Sequence, residues 1–416
     1  MKKLITLIIG IVFSVSLWGQ HNVNRCGTMN HLAYQKAKDP LLTERMESLE
    51  KQTQKYIREN YNANSKAVIT IPVVVHVLWY NNTNNISDAQ IMSQIDVMNE
   101  DFRRLNADTV NTPSLFKGVA ADCEIEFCLA KQDPAGHFTT GITRTQTNKS
   151  VFDLATDDAK YTATGGHDIW DRDKYLNIWV VPSLVDGSTT GILGYAQFPG
   201  GAAATDGVVI QYTNFGRIGS LSPSYNKGRT SVHEIGHWLN LYHIWGDDGQ
   251  AACWGTDYVN DTPNQADETY GCPTFPQPSC SNTSDMFSNY LDYSDDDCMN
   301  IFTQGQKARM WATLNGFRKS LATSPGCIPV GFNESTDLTD LHIYPNPNHG
   351  SFHISLSKPF VGEIVITNSV GQEIHKQNIE NQKEIDLDLP SVRSGVYFIA
   401  LISDEKYIIR KIQILK

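Results

Sequence analysis

Eleven consecutive residues, His233-Glu234-Ile235-Gly236-His237-Trp238-Leu239-Asn240-Leu241-Tyr242-His243, carry the most specific chemistry in this 416-residue chain. His233 and His237 are four apart, so a helix stacks their imidazoles on one face, where both reach a single tetrahedral Zn²⁺. Glu234, beside the first ligand, can hold and deprotonate a water molecule at that metal. His243 lies six residues beyond His237, off the shared face, so the helix must stop and the chain turn back to bring a third imidazole to the ion. The fourth position is then left for water. A bare HExxH recurs by chance in structural helices; the third histidine is what separates a zinc site from that bland alternative. Thr230 is expected to N-cap this helix, and Trp238, Leu239 and Leu241 give it apolar faces to bury.

The stretch resembles the metzincin consensus HExxHxxGxxH, and within it the pappalysin-like (cytophagalysin) zinc peptidases. In that clan a glycine ends the helix at the place of Asn240; asparagine is the next most tolerant residue of left-handed backbone geometry. Downstream, Asn289-Tyr290-Leu291-Asp292-Tyr293, Cys298-Met299-Asn300 and Phe302-Thr303-Gln304-Gly305-Gln306 look like the family's Met-turn region and closing helix. The family usually has Met where Leu291 stands; the residue packs under the ligand histidines, and Leu fills most of the same volume. Tyr293 matches the family tyrosine that swings toward zinc and stabilises the tetrahedral oxyanion; the plainer reading is a core tyrosine.

The ends of the chain suggest a destination. Residues 1–20 begin with Lys2 and Lys3, continue with an apolar run from Leu4 to Val15 and finish small and polar, which reads as a secretory signal peptide rather than a permanent membrane segment. The eight cysteines fit an oxidising compartment. Cys253, Cys272, Cys280 and Cys298 crowd a turn-rich stretch whose spacing allows three pairings. The family resemblance favours Cys253–Cys280 and Cys272–Cys298. Cys123 and Cys128 bracket a strand-like run and could pair directly. Residues 342–416 carry short β-runs (Ser351 to Leu356, Gly362 to Thr367, Glu384 to Leu389, Gly395 to Leu401, Ile408 to Leu415) separated by turns, as a small β-sandwich would. Its Tyr344-Pro345-Asn346-Pro347 opening, central Val370-Gly371-Gln372 and Ser394-Gly395-Val396-Tyr397-Phe398-Ile399 resemble the C-terminal sorting domain of the type IX secretion system. The alternative is a carbohydrate-binding or adhesive sandwich.

Between these ends, residues 21–66 are polar and partly helical, notably Pro40 to Arg58, and resemble the pro-segment of the same peptidases. Arg25-Cys26-Gly27-Thr28 matches a family motif in which the Cys26 thiolate would take the fourth zinc position and keep a zymogen silent. Cys26 could instead pair with Cys327 or another thiol. Lys55, Arg58 and Lys66 are candidate activation points. From residue 67 the elements alternate: a strand over Ile69 to Tyr80, a helix over Ser87 to Asn106 opened by a Ser87/Gln90 capping box and carrying an Ile91, Ile95, Met98, Phe102 stripe, then strands at Cys123 to Ala130, Tyr175 to Pro182 and Gly207 to Tyr212. Thr303 and Gln306 form a second capping box for a helix to about Phe317. The expected fold is α/β: a metzincin, zincin-like catalytic domain (67–327) with an upper mixed sheet and a loop-rich lower subdomain, a linker (328–341) and the C-terminal β-sandwich (342–416).

A net charge of −11 with no basic patch argues against nucleic acid as partner. Asp247, Asp248, Asp257 and Asp261 in the cysteine-rich loop, and Asp295, Asp296 and Asp297 beside the Met-turn, suit Ca²⁺ or simply form solvated turns. The family carries structural calcium here, and Asp257 lies where it is expected. The resemblance also places the pocket for the residue after the scissile bond against the segment of Asp292 and Asp295 to Asp297, which favours cleavage before Arg or Lys. The edge strand near Leu193 to Gln197 is expected to receive substrate as an added antiparallel strand. The reading is a secreted zinc endopeptidase acting on proteins or peptides and exported by the type IX machinery. The runner-up is a non-catalytic surface adhesin retaining a structural zinc.

Overall fold

The β-branched run after residue 68 forms the strand on which the main sheet is built. The computed structural model describes residues 25–60, 68–187, 189–329, 341–368, 373–403 and 407–416. The expected signal peptide, the Lys66 activation point, residues 330–340 of the expected linker and Val370-Gly371-Gln372 lie outside the described residues. Helices α1 (Thr28–Lys38) and α2 (Leu42–Asn60) come first. Strand β1 (Ile69–Trp79) follows, buried from Ile71 through Leu78. It pairs in parallel with β2 (Ile125–Leu129), β3 (Ile142–Gln146) and, across β4 (Phe152–Asp153) in sequence, with β5 (Leu176–Val181). Parallel strands covered on both faces read as continuous apolar runs, and β1 and β5 do. Beyond β6 (Leu184–Asp186) and β7 (Thr189–Thr190), which join β4 in a small separate sheet, come β8 (Gly194–Ala196) and β9 (Val208–Gln211). The main sheet runs β2-β1-β5-β9-β8, with β3 also on β1, and only β8 is antiparallel to its neighbour.

Helix α3 (Asp88–Phe102) packs on β2 and on α4 (Arg229–Trp238), burying the expected Ile91, Ile95, Met98, Phe102 stripe. Ser87 caps α3 by accepting from the Gln90 amide at 3.2 Å. The capping box is only half formed, because the Gln90 side chain donates instead to Tyr212 O (3.2 Å) and Phe215 O (2.9 Å). The N-cap of α4 also differs from expectation. It is Gly228, at φ 75°, and Thr230 lies inside the first turn. The helix start is capped from a distance: Asp296 Oδ2 accepts from the Arg229 amide at 3.2 Å and the Lys227 amide at 2.8 Å. The Thr303/Gln306 box on α5 (Gln304–Asn315) is complete, and this helix ends two residues before Phe317.

The chain from α4 to α5 is loop, stapled by Cys253–Cys280 and Cys272–Cys298 with Cα separations of 5.5 and 5.6 Å. Cys123 and Cys128 are not paired to each other: Cys123 is a buried free thiol and Cys128 is disulfide-bonded. Cys327 is also disulfide-bonded, whereas Cys26 is a buried free thiol, which removes their pairing.

The described residues form two compact units, one up to Leu129 with Ile142–Ser324, the other Ala130–Gly141 with those from Pro325 on. The second unit contains β10 (Leu341–Tyr344), β11 (Ser351–Asn368), β12 (Glu373–Asp388), β13 (Gly395–Ile402) and β14 (Tyr407–Ile414), all antiparallel. The two β-runs expected over Ser351 to Thr367 are one long strand. It pairs with β10 in its first half and β13 in its second, with register shifts between that curl the sheet around Phe352, Ile354, Ile366, Ile399 and Ile412. This packing matches the expected small β-sandwich. No helix among the described residues is long and apolar enough to cross a membrane.

One buried ion pair fixes the end of α4. Arg318 Nη1 donates to Asp206 Oδ1 (2.8 Å) and Oδ2 (3.0 Å), Arg318 Nε donates to Trp238 O (3.0 Å), and the guanidinium lies 3.9 Å from the Trp238 ring centroid. Arg318→Ala leaves the buried Asp206 only the Trp238 indole N–H at 2.7 Å and Arg172 at 3.8 Å, and should cost about 3 kcal/mol. Arg217→Ala, which breaks a half-exposed pair with Glu100, should cost at most about 1 kcal/mol. Urea midpoints of the two variants check this ordering.

Candidate active site

Helix α4 presents His233 and His237 on one face. The third imidazole arrives by a Schellman turn: the Asn240 amide donates to His237 O and the Leu241 amide to Gly236 O, both at 2.9 Å, with Asn240 at φ 73°. Asn240 thus takes the left-handed geometry anticipated for it, and His243 comes back over the helix. The Nε2 atoms of His237 and His233 are 3.1 Å apart, those of His237 and His243 3.1 Å, and those of His243 and His233 3.3 Å. Leu291 lies beneath this cluster, and a Cβ on Gly236 of α4 would come within 2.9 Å of its Cδ2.

The other ring nitrogens define the tautomers. His233 Nδ1 meets Tyr290 O at 2.7 Å, His237 Nδ1 meets Leu241 O at 2.8 Å, and His243 Nδ1 meets Asp247 Oδ1 at 2.8 Å. Those oxygens only accept, so each Nδ1 carries the proton. Burial, reinforced by the adjacent imidazoles, holds His233 and His237 well below the usual histidine range and therefore neutral. Three lone pairs then converge in a dry site. Two ligands of a tetrahedral Zn²⁺ at 2.0–2.1 Å stand about 3.3–3.4 Å apart, so the cluster suits that ion. Asp247, expected as an acidic loop residue, serves instead to orient His243, and Trp245 stacks on the same imidazole at 4.3 Å. Sequence reasoning missed both; an acid four residues after a ligand histidine was the available signal.

Cys26 completes the set. Its Sγ and the three histidine nitrogens lie within 4.8 Å of one another, the one such group of His, Cys, Asp or Glu among the described residues. Burial and the neighbouring Glu234 hold the thiol well above its ordinary pKa, and it donates to Glu234 Oε2 at 3.4 Å. Glu234 is fully buried; desolvation raises its carboxyl to about 7, against hydrogen bonds from Thr28 Oγ1 (2.7 Å) and Cys26. Glu234 Oε1 is without a protein partner. Tyr293 is buried against His233, His243 and Trp245, and its hydroxyl donates to Cys26 O at 3.4 Å. Thr28 was read only as part of a motif, yet its hydroxyl occupies the proposed base and also accepts from the Ala196 amide at 2.8 Å.

Residues 25–28 run along β8. Cys26 pairs with Gly194 in a parallel bridge, and the Gly27 amide donates to Gly194 O at 2.9 Å. This sends Arg25 into a closed pocket, fully buried. Arg25 Nη1 donates to Ser294 O, Nη2 donates to Asp296 Oδ1 at 3.1 Å, and the guanidinium lies 5.0 Å from the Tyr225 ring centroid. Of the acidic run, only Asp296 meets Arg25. Asp297 points outward and pairs with Lys227 at 2.6 Å, while the Asp295 amide donates to Gly271 O. Asp292, also buried, is occupied by Gln265 Nε2 and the Thr269 and Tyr293 amides.

The calcium expectation gains no support. Asp257 Oδ1 accepts from the Val259 amide (3.0 Å) and Oδ2 from Thr262 Oγ1 (2.8 Å), and burial raises its carboxyl to about 7. Asp248 accepts from the Trp254 amide and Asp261 from Thr303 Oγ1 and the Gly305 amide, so these acids close turns and cap a helix rather than converge.

The arrangement has relatives. The peptidase M43 family, described as pregnancy-associated plasma protein-A, matches residues 156–315, and the secretion system C-terminal sorting domain family matches residues 342–415. Tannerella forsythia mature mirolysin, solved in complex with a cleaved peptide, is 50% identical with a TM-score of 0.61, covering 64% of this chain and 100% of its own. A Tannerella forsythia promirolysin mutant is 46% identical with a TM-score of 0.64, covering 72% of this chain and 97% of its own. An extracellular metalloprotease of Arthroderma benhamiae is 30% identical over 298 residues, 70% of this chain and 91% of that protein. The chain belongs to the pappalysin-like M43 zinc metallopeptidases and carries a type IX C-terminal sorting domain, which makes it a secreted, zinc-dependent endopeptidase.

Proposed function

We propose that this enzyme cleaves extracellular proteins on the N-terminal side of Arg, with His233, His237 and His243 as zinc ligands and Glu234 as general base, and that its N-terminal segment keeps it latent. The single observation that carries the reading is Arg25 seated on Asp296 beside Cys26 and Glu234. A side chain from the chain itself fills the pocket next to the reacting centre, and it is an arginine. Its two nitrogens reach two acceptors, Ser294 O and Asp296 Oδ1, which the single ammonium of Lys matches less well.

A bound zinc ion supplies Lewis-acid polarisation of the scissile carbonyl and lowers the pKa of water at the centre. Glu234, whose Oε1 has no protein partner, takes the proton of the attacking water and returns it to the leaving amine. The Tyr293 hydroxyl, freed from Cys26 O, hydrogen-bonds the oxyanion. Substrate is expected antiparallel to β8, whereas residues 25–28 run parallel to it. The reversed polarity lets Arg25 use the pocket without offering its own peptide bond to Glu234, which is engaged by Thr28 and Cys26 instead. A structural zinc site closes with four protein ligands. Here the fourth candidate belongs to a segment built to leave, which speaks against the adhesin alternative. In this scheme residues 1–20 are a signal peptide, 21–66 the pro-segment, 67–327 the catalytic domain, 328–341 a linker and 342–416 the sorting domain.

Three outcomes follow for the processed and unprocessed chain. Glu234→Gln should retain zinc and fold while kcat/KM on a denatured protein falls by at least about 10³-fold; full activity at normal zinc content would defeat the mechanism. Cys26→Ala in the precursor should raise activity toward short peptides before any trimming, read by hydrolysis alongside gel analysis. Unchanged latency would mean that Arg25 and Thr28 block the cleft without the thiol. Asp296→Asn should lower kcat/KM for peptides with Arg after the cut by about 10–100-fold relative to those with Leu there. Equal loss for both in a peptide-library digest would leave Asp296 only its capping of α4.

A further inference from the structure

The pro-segment reaches well beyond the cleft. Arg309 of α5 is fully buried, and Nη1 and Nη2 donate to Glu50 Oε1 (2.9 Å) and Oε2 (2.8 Å) of α2. Arg309 Nε and Nη2 also donate to Asn240 O at 3.2 and 3.1 Å, and the guanidinium lies 5.7 and 5.4 Å from the Tyr242 and Tyr258 ring centroids. Glu50 is its one ion-pair partner among the described residues. Around this anchor, Leu42 packs with Phe198, flanked by Met46 and Tyr242, and Leu49 lies against Gly200, where a Cβ would come within 3.1 Å of it. Beside Thr53 a cavity of about 180 Å³ remains between α2 and α5, bounded by Pro199, Asn240 and Ala312.

None of these contacts is needed to block the centre, which Arg25, Cys26 and Thr28 already fill. We propose that the face under α2 is a docking site in the activated enzyme, taking an amphipathic helix of a protein substrate that carries a carboxylate where α2 carries Glu50. The proposal rests on the reading that the pro-segment is removed. Two observations favour this occupant. A helix of that chemistry sits there now. Once it leaves, Arg309 keeps its orientation through Asn240 O and the two tyrosines but has lost its carboxylate, so the site is preorganised for another. The chain as a whole carries −11, so general attraction will not recruit the helix, and recognition falls to this one guanidinium and the apolar residues around it.

The test uses processed enzyme that cleaves a short peptide with Arg after the cut; absence of that cleavage would count against the proposed function and not against this site. The probe is a synthetic peptide of residues 39–60, which lacks Arg25 and Cys26. It should bind one-to-one by calorimetry, and Glu50→Gln in the peptide should weaken binding by about ten-fold or more. It should slow cleavage of an intact helical protein while leaving kcat/KM for the short peptide unchanged. Three results would overturn the proposal: no binding, equally tight binding of the peptide carrying Glu50→Gln, or binding that leaves protein cleavage unaffected. Equal inhibition of protein and short peptide would also overturn it, since the helix would then be occupying the cleft.

Discussion

Three unprotonated imidazole nitrogens within 3.3 Å of one another, in a site sealed from water, is the arrangement on which the rest of the structure depends. Lone pairs so placed repel unless a cation sits between them, and each ring must be held by its far nitrogen for the geometry to persist. The three anchors come from different parts of the chain. Leu241 O belongs to the turn that ends α4, Asp247 to the loop beyond His243, and Tyr290 O to the segment leading to Leu291. The fold around the centre can be read as the means of bringing these acceptors together. The sheet and α3 pack against α4, Arg318 and Asp206 fix its C-terminal end, and disulfide Cys272–Cys298 ties the segment carrying Leu291 and Tyr293 to the preceding loop.

The burial that encloses the three imidazoles also acts on the carboxylate beside them. A carboxylate in water titrates far below neutrality; with residues 25–28 covering the site, desolvation raises Glu234 to about 7. In so enclosed a site few polar atoms suffice to occupy the carboxylate, and Thr28 Oγ1 and Cys26 Sγ take up Glu234 Oε2 between them. Asp296 shows the same economy. Burial pushes its carboxyl up and Arg25 pulls it back, while its second oxygen caps α4. A lone buried charge is unfavourable, and the Arg25 guanidinium compensates this one together with the Lys227 and Arg229 amides. The seat of Arg25 and the start of α4 thereby depend on one residue.

What the sequence made legible was local. The ligand spacing, the left-handed turn at Asn240, the Thr303/Gln306 box, the buried run of β1 and the α3 stripe all follow from residues within one turn or strand of each other. What it hid was nonlocal. The cap of α4 comes from Asp296, 67 residues away from Arg229, so a rule that looks for Ser or Thr at the boundary settled on Thr230. Gln90 was spent on backbone carbonyls 122 and 125 residues distant rather than on its own helix. The acidic run read as a unit, although Asp295, Asp296 and Asp297 point to three different surroundings, because successive side chains diverge and only packing selects which one turns inward. Asp257 and its neighbours had the composition of a calcium loop, but their oxygens accept from turn amides and hydroxyls.

Asn240 brings the local and the distant together. A non-glycine residue in left-handed geometry carries a penalty on the order of 1 kcal/mol, less for Asn than for most. The two amide bonds of the Schellman turn satisfy carbonyls that the helix end would otherwise leave open, and Arg309 donates two hydrogen bonds to Asn240 O. The turn is therefore held from both of its ends and from its carbonyl, which offsets the strain of replacing glycine. Since His243 reaches the centre only through this turn, the guanidinium of Arg309 helps position an imidazole it never touches. Through Glu50 of α2 the same guanidinium also meets the N-terminal helices, so α2 contacts the brace of the histidine turn.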